Sequence, residues 1–251
     1  MNATPPNAAA AAQLSADYER DGVVLVRQFL SAAEVAEVRA ELGRYIRDDL
    51  AAKPANARTL EADEKTVRNL WRLEEHNEWF RHLALRADIR ALVAPLVHGE
   101  PVLLGVETFN KPARIGSGVP YHQDNAYFCQ TPPDVLTVWV AIDAVTQGNG
   151  PVFFVKGSHR GGMLPTRQSG VRGNSIGMAA PSPVPLADQF CGLLAPGDAT
   201  LHHCQTVHHS APNTTEHSRL GLLFVYRGSH TQTDAALKAA YTVAATATPP
   251  A

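Results

Sequence analysis

The chain has 251 residues, 45% of them hydrophobic and 18% charged, the make-up of an ordinary globular protein with length for one large domain and a sizeable core. Its formal net charge of -2 gives no electrostatic pull toward nucleic acid or an anionic membrane, and no apolar run reaches the roughly 18–20 residues that span a bilayer. Three widely spaced cysteines, Cys129, Cys191 and Cys204, argue against a disulfide framework and for a reducing, cytoplasmic setting.

Met1 to Ala12 is rich in Ala, Pro and Asn and has neither a basic nor a Leu-rich segment. It reads as part of a disordered tail over residues 1–14, not a signal peptide, ahead of a single domain over 15–251. Asp21-Gly22 is a turn signal, and Val23 to Val26 behind it is a compact strand. Ser31 and Glu34 have the spacing of a helix capping box. Val35, Val38, Leu42, Tyr45 and Ile46 then recur at helical spacing, so one face is expected to pack on a sheet. Ala51 to Lys65, broken by Pro54, is expected to be irregular. Arg86 to Val97 is a second amphipathic segment, with Ile89, Leu92, Val93 and Leu96 as its stripe.

From Pro101 the pattern changes to short β-prone runs: Val102 to Phe109, Val135 to Ile142, Val152 to Val155 and Leu220 to Val225, separated by Gly, Pro and Asn. The expected architecture is mainly β with flanking helices, a sandwich or barrel behind an N-terminal helical layer. A Gly/Pro/Ser-rich stretch over 160–189 has little periodicity, and a loop of that length is expected to act as a lid.

Pro120-Tyr121-His122-Gln123-Asp124 carries the most chemistry. On an extended strand His122 and Asp124 share a face, with Gln123 on the other. An imidazole and a carboxylate so placed are the short-range part of a 2-His-1-carboxylate site, which leaves open positions on iron. An H-x-D tripeptide alone is also an ordinary surface turn. Further on, Gly197-Asp198 reads as a turn and Ala199 to His203 as a strand, followed by His208-His209-Ser210 and, eleven residues after His208, Arg219. One of these histidines supplies a third ligand, with His202, His203, His208 and His209 all present. Arg219 is a fixed cation suited to bidentate pairing with a carboxylate.

In these strings the sequence resembles the phytanoyl-CoA dioxygenase family of iron(II)/2-oxoglutarate-dependent oxygenases. The resemblance runs through Asp21 to Leu25, Phe29-Leu30-Ser31, Asn110-Lys111-Pro112, His122-Gln123-Asp124, Trp139 to Asp143, Gly148 to Pro151, Gly157-Ser158-His159, Gly197-Asp198, His208-His209-Ser210, Asn213 and Arg219. It implies a double-stranded β-helix (jelly roll, cupin-like) core. It also implies that His122, Asp124 and His208 are the Fe(2+) ligands and catalytic centre, and that Arg219 pairs with the distal carboxylate of 2-oxoglutarate. Ser210, Trp139 and Lys111 resemble positions lining the cosubstrate pocket, and Gln123 falls at a position near it. 2-Oxoglutarate and O2 would share the three remaining iron positions. Related halogenases have a small residue in place of the carboxylate, so Asp124 favours hydroxylation of an unactivated C–H bond, with succinate and CO2 released.

Simpler roles stand beside these. His202 or His203 is expected to be a hydrogen-bonded core histidine, His159 a structural residue at a strand end, and Cys129 and Cys204 buried thiols. Lys111 is equally a solvated charge and Trp139 equally core, and Tyr127 and Phe128 either wall the substrate pocket or pack in the core. Arg167 and Arg172 are expected on a solvated loop. The expected partner is a small-molecule metabolite or natural-product intermediate, with no nucleic acid and no membrane. Desaturation, cyclisation or epimerisation on the same fold is the alternative outcome, and a non-catalytic metal- or ligand-binding module a more distant one.

Overall fold

The computed structural model describes residues 8–180 and 182–247. Its strands, in chain order, begin with β1 (Val23–Val26), β2 (Arg58–Leu60), β3 (Val67–Leu70), β4 (Pro101–Lys111) and β5 (Val119–His122). There follow β6 (Gln130–Thr131), β7 (Val135–Ala141), β8 (Val152–Phe154), β9 (Thr166–Val171) and β10 (Asn174–Met178). The last are β11 (Phe190–Cys191), β12 (Ala199–His203), β13 (His208–Ser210), β14 (Arg219–Gly228) and β15 (Gln232–Thr233). A seven-stranded sheet runs β1-β12-β7-β14-β4-β3-β2, and a four-stranded sheet runs β11-β8-β13-β5. All pairings are antiparallel, and neither sheet closes on itself. This is the expected jelly-roll arrangement, with the N-terminal helices packed on the large sheet and the helix Ala235–Thr246 against β9 and β10.

The large sheet separates core from cavity by simple alternation. In β7, Leu136, Val138 and Val140 join the main hydrophobic core, together with Leu222, Phe224 and Tyr226 of β14. Val35, Val38, Leu42 and Tyr45 from the N-terminal helical layer belong to the same core, each burial of such a side chain being worth roughly 1.5–3 kcal/mol. The intervening residues Thr137, Trp139, Leu223, Val225 and Arg219 face the other way and line a cavity.

The helix Ala32–Arg44 starts at the expected capping box: Ser31 accepts from the Glu34 backbone N–H, and Glu34 accepts from that of Ser31. Beyond Arg44 the chain tightens into a π-helical turn, Tyr45–Asp49, where Leu50 N–H bonds Tyr45 O. That extra residue rotates Ile46 outward to 42% exposure, against the expectation that it shares the buried face. The segment Ala51 to Lys65 also holds more order than expected, since β2 lies within it and pairs with β3. The helices Leu73–His76 and Glu78–Ala84 complete the helical layer with Ala87–Val93.

Two further expectations are corrected. The helix Ala8–Asp21 runs through part of the proposed tail, while residues 1–7 lie outside the described residues. The stretch over 160–189 is not a bare loop, because β9 and β10 form a hairpin within it. Tyr127 fastens that hairpin: its hydroxyl donates to Ile176 O at 2.7 Å and accepts from Ile176 N–H at 3.1 Å. No helix among the described residues is long and apolar enough to cross a membrane.

Candidate metal centre

His122 ends β5 and His208 begins β13, and the two are direct partners across the antiparallel ladder. Directly opposed residues project to the same face, so the register itself brings two imidazoles together, with ring centroids 4.1 Å apart. Asp124 arrives differently from the expected strand geometry. The strand stops at His122, and Asp124 takes αR angles (φ -60, ψ -31) at the head of the short helix Asn125–Phe128. The turn still delivers its carboxylate to the two rings: Oδ1 lies 3.4 Å from His122 Nε2 and 3.5 Å from His208 Nε2. The three donor atoms all fall within 4.8 Å of one another.

The surroundings fix the donor atoms for a metal. His122 Nδ1 donates to Pro120 O at 2.8 Å, and His208 Nδ1 donates to Thr206 O at 2.9 Å. Each ring therefore turns its Nε2 lone pair toward the cluster. Asp124 Oδ2 accepts from Thr137 Oγ1 at 2.9 Å and from His202 Nε2 at 3.1 Å, leaving Oδ1 to the cluster. Burial pushes the Asp124 carboxyl up, yet the group is held well below its usual range by its imidazole neighbours, with His202 donating to it directly. Burial and the neighbouring His122 push His208 well down, keeping it neutral. An ionised carboxylate and neutral imidazole Nε2 atoms, all on one side, are a donor set that fits a divalent iron with open positions.

The cavity these residues border measures about 340 Å3. Ser210, Trp139 and Arg219, expected near it, all line it. The Arg219 guanidinium stacks over the Trp139 ring at 4.9 Å, and its Nε and Nη1 are buried without a partner. Burial and the nearby Arg68 push its pKa down to about 9. An arginine buried with orphaned donors is the complement of a carboxylate ligand. Gly221 makes room for the stack, because a Cβ there would come within 2.2 Å of the Trp139 ring.

Lys111 and Gln123 do not line this cavity. Lys111 Nζ donates to Ser117 O at 2.8 Å and to Ala211 O at 2.6 Å, bracing two loops. Burial, followed by Arg219 and Arg68, pushes its pKa down to about 6. Gln123 is buried outside the cavity. Its amide donates to Gly162 O and Gln205 O and accepts from Leu164 N–H. Arg167 and Arg172 are exposed outside the cavity, and His159 donates from Nε2 to Glu19 O. Cys129, Cys191 and Cys204 are all free thiols.

Sequence reasoning missed several contributors. Thr137, which with His202 holds Asp124, had a legible signal only in strand alternation, standing two residues before Trp139 on the same face, whereas His202 is the expected hydrogen-bonded core histidine. Trp71, Glu107 and Phe109 also line the cavity, as do Gly173 and Asn174 from the β9–β10 hairpin. Tyr127 and Phe128, for which pocket wall was one of two expected roles, line it as well.

The phytanoyl-CoA dioxygenase (PhyH) model matches residues 18–221 of this chain. The chain belongs to the phytanoyl-CoA dioxygenase family. Iron and 2-oxoglutarate are accordingly the cofactor and cosubstrate of this dioxygenase, as expected, with O2 as the other cosubstrate. It is 29% identical over 237 residues to ectoine dioxygenase of Stutzerimonas stutzeri (strain A1501), covering 88% of this chain and 78% of that protein. Among solved structures, the epimerase SnoN in complex with Fe3+, alpha ketoglutarate and nogalamycin RO is 28% identical, with a TM-score of 0.71 over 90% of this chain and 86% of SnoN. EctD from S. alaskensis, at 23% identity and a TM-score of 0.73 over 91% of this chain and 78% of EctD, shares the fold.

Proposed function

We propose that this oxygenase hydroxylates an unactivated C–H bond of a small-molecule metabolite or natural-product intermediate, with 2-oxoglutarate converted to succinate and CO2. The reading rests on one juxtaposition: the cluster His122, Asp124 and His208 shares a largely apolar cavity with the orphaned guanidinium of Arg219. In this assignment His122, Asp124 and His208 hold iron, which supplies oxygen activation at its open positions. Arg219 takes the distal carboxylate of 2-oxoglutarate, oriented by its stack on Trp139, with Ser210 beside it.

The protein's own contribution is positioning. Thr137 and His202 keep Asp124 Oδ1 turned to the metal. Trp139, Leu223 and Val225 give the cavity an apolar floor that excludes water from the reacting carbon. The segment over 160–189, with its hairpin held by Tyr127, is the lid of a single domain over 15–251. Three free thiols are in keeping with a cytoplasmic setting.

Epimerisation is a second reading, favoured by the likeness to SnoN, a named epimerase. Anaerobic protein given Fe(II) and 2-oxoglutarate is expected to develop a weak visible charge-transfer band. A metabolite screen for 2-oxoglutarate-dependent O2 consumption then identifies the substrate. A product heavier by one oxygen supports hydroxylation, and a product of unchanged mass supports epimerisation. No band, or one that persists in an Asp124→Ala/His208→Ala double variant, overturns the assignment.

A further inference from the structure

Three charged side chains line the cavity besides its histidines: Asp124, Arg219 and Glu107. In the reading above, Asp124 is committed to iron and Arg219 to 2-oxoglutarate. Glu107 remains. It sits on β4 opposite Leu223 of β14, on the inner face of the large sheet, where Phe109 two residues on also lines the cavity. Strand alternation there calls for an apolar side chain, as Leu223 and Val225 supply on β14. A carboxyl in that row breaks the pattern, and such breaks mark function.

The Glu107 backbone pairs in the β4–β14 ladder, but its carboxyl makes no hydrogen bond and no ion pair with any described residue. The carboxyl of Glu74, its acidic neighbour, is occupied in accepting from the Val106 backbone N–H at 2.6 Å. Gly105 leaves open the space next to Glu107: a Cβ there would lie 3.7 Å from Glu107 Oε1. Burial, then the charges of Asp124 and Glu74, push the Glu107 carboxyl up to about 8. The Glu107 side chain is only partly buried, so its carboxyl is open to the cavity, where a ligand can supply the partner that no protein group does.

The walls around it are aromatic. Trp71 and Phe109 meet edge to face at 5.5 Å, and Tyr127 and Phe128 border the same space. The Trp71 Nε1–H is already donated to Thr59 Oγ1, so this indole offers its ring to the cavity and no hydrogen bond. Ring faces attract cations, and a cation beside Glu107 also pairs with its carboxylate charge, which a neutral hydroxyl does not.

We infer that Glu107 is the substrate-selecting residue of this cavity and that the substrate carries a cationic nitrogen, an ammonium or amidinium group. The inference rests on the oxygenase reading, which places a substrate in this cavity. It narrows the substrate class to cations and puts the oxidised carbon on the same small molecule that Glu107 anchors.

The test uses the anaerobic Fe(II)–2-oxoglutarate complex and calorimetric titration with matched probes: cyclohexylammonium, cyclohexanol and cyclohexanecarboxylate, then benzylammonium, benzyl alcohol and benzoate. The ammonium members are expected to bind about tenfold or more tightly than their partners. In Glu107→Gln that preference is expected to fall to within about threefold, while the visible band persists. Equal binding across each set, preference for alcohol or carboxylate, no binding of either ammonium, or an unchanged ranking in the variant overturns the inference. A purely structural Glu107 would instead lower Tm in Glu107→Gln and leave the ranking intact. The band separates the two levels: its absence in the wild type overturns the oxygenase reading, and its presence without ammonium preference overturns this inference alone.

Discussion

Thr137 and His202 are direct partners across β7 and β12, and both donate to the same atom, Asp124 Oδ2. Their convergence is what leaves Oδ1 free for a metal. His202→Phe is expected to keep the fold while weakening Fe(II) binding by about 10- to 100-fold, the usual effect of losing an outer partner of a metal ligand. Thr137→Val is expected to act in the same direction. Metal titration of the apoprotein measures both, and unchanged affinity in both variants would show that Asp124 needs no external orientation.

Arg219 is buried, positively charged and short of partners for Nε and Nη1. Removing an unpaired buried charge relieves the free protein, so Arg219→Met is expected to raise the Tm of the apoprotein. The same change is expected to weaken 2-oxoglutarate binding by about 30-fold or more. Thermal melts with and without 2-oxoglutarate read both effects, and a variant that keeps its ligand-induced rise in Tm contradicts the role.

Gly221→Ala places a methyl group against the Trp139 ring, where no space exists. Overpacking of this kind costs about 1–3 kcal/mol and moves the indole on which Arg219 rests. Adding Trp139→Leu should recover most of the stability but not 2-oxoglutarate binding. A double-mutant cycle in denaturant measures the coupling, and additive costs would refute it.

Lys111 yields a pH dependence with a definite sign. Its pKa falls from 10.5 to about 6 on folding because burial, Arg219 and Arg68 disfavour the ammonium. Between those values the unfolded chain binds the extra proton, so stability rises with pH through that window and the full penalty is present below it. Lys111→Met is expected to flatten this part of the curve. Denaturant midpoints followed across the window test it, and an unchanged slope would mean that Lys111 stays charged in its cage of Ser117 and Ala211 carbonyls.

Local signals in the chain were readable where the causes are local. The capping box at Ser31, the alternation of β7 and the His122–Asp124 spacing all involve residues a few positions apart. Even there, Asp124 reaches the histidines through a helical turn and not along a strand, since two geometries satisfy one spacing. Ile46 departs from the expected buried face because a single π-helical turn alters the phase of the helix. The β9–β10 hairpin was hidden because Thr166 to Val171 is mostly polar and carries no alternating apolar pattern. Lys111 and Gln123 took their expected place from family resemblance, whereas backbone carbonyls distant in sequence determine where their polar atoms go. Thr137 meeting His202, and Glu107 facing Leu223, are facts of register between remote strands.

Gln123 lies between His122 and Asp124 in sequence and ties the backbone at Gly162, Leu164 and Gln205 together. Gln205 directly precedes Thr206, whose carbonyl orients His208. One amide thus fastens the base of the β9–β10 hairpin to the segments that carry His122, Asp124 and His208. Loading the site and tightening its cover are therefore mechanically joined: an ion that immobilises His122, Asp124 and His208 also stiffens the anchor of the segment above them. Protection of residues 162–164 from proteolysis or hydrogen exchange would then serve as a readout of metal occupancy, with no substrate needed.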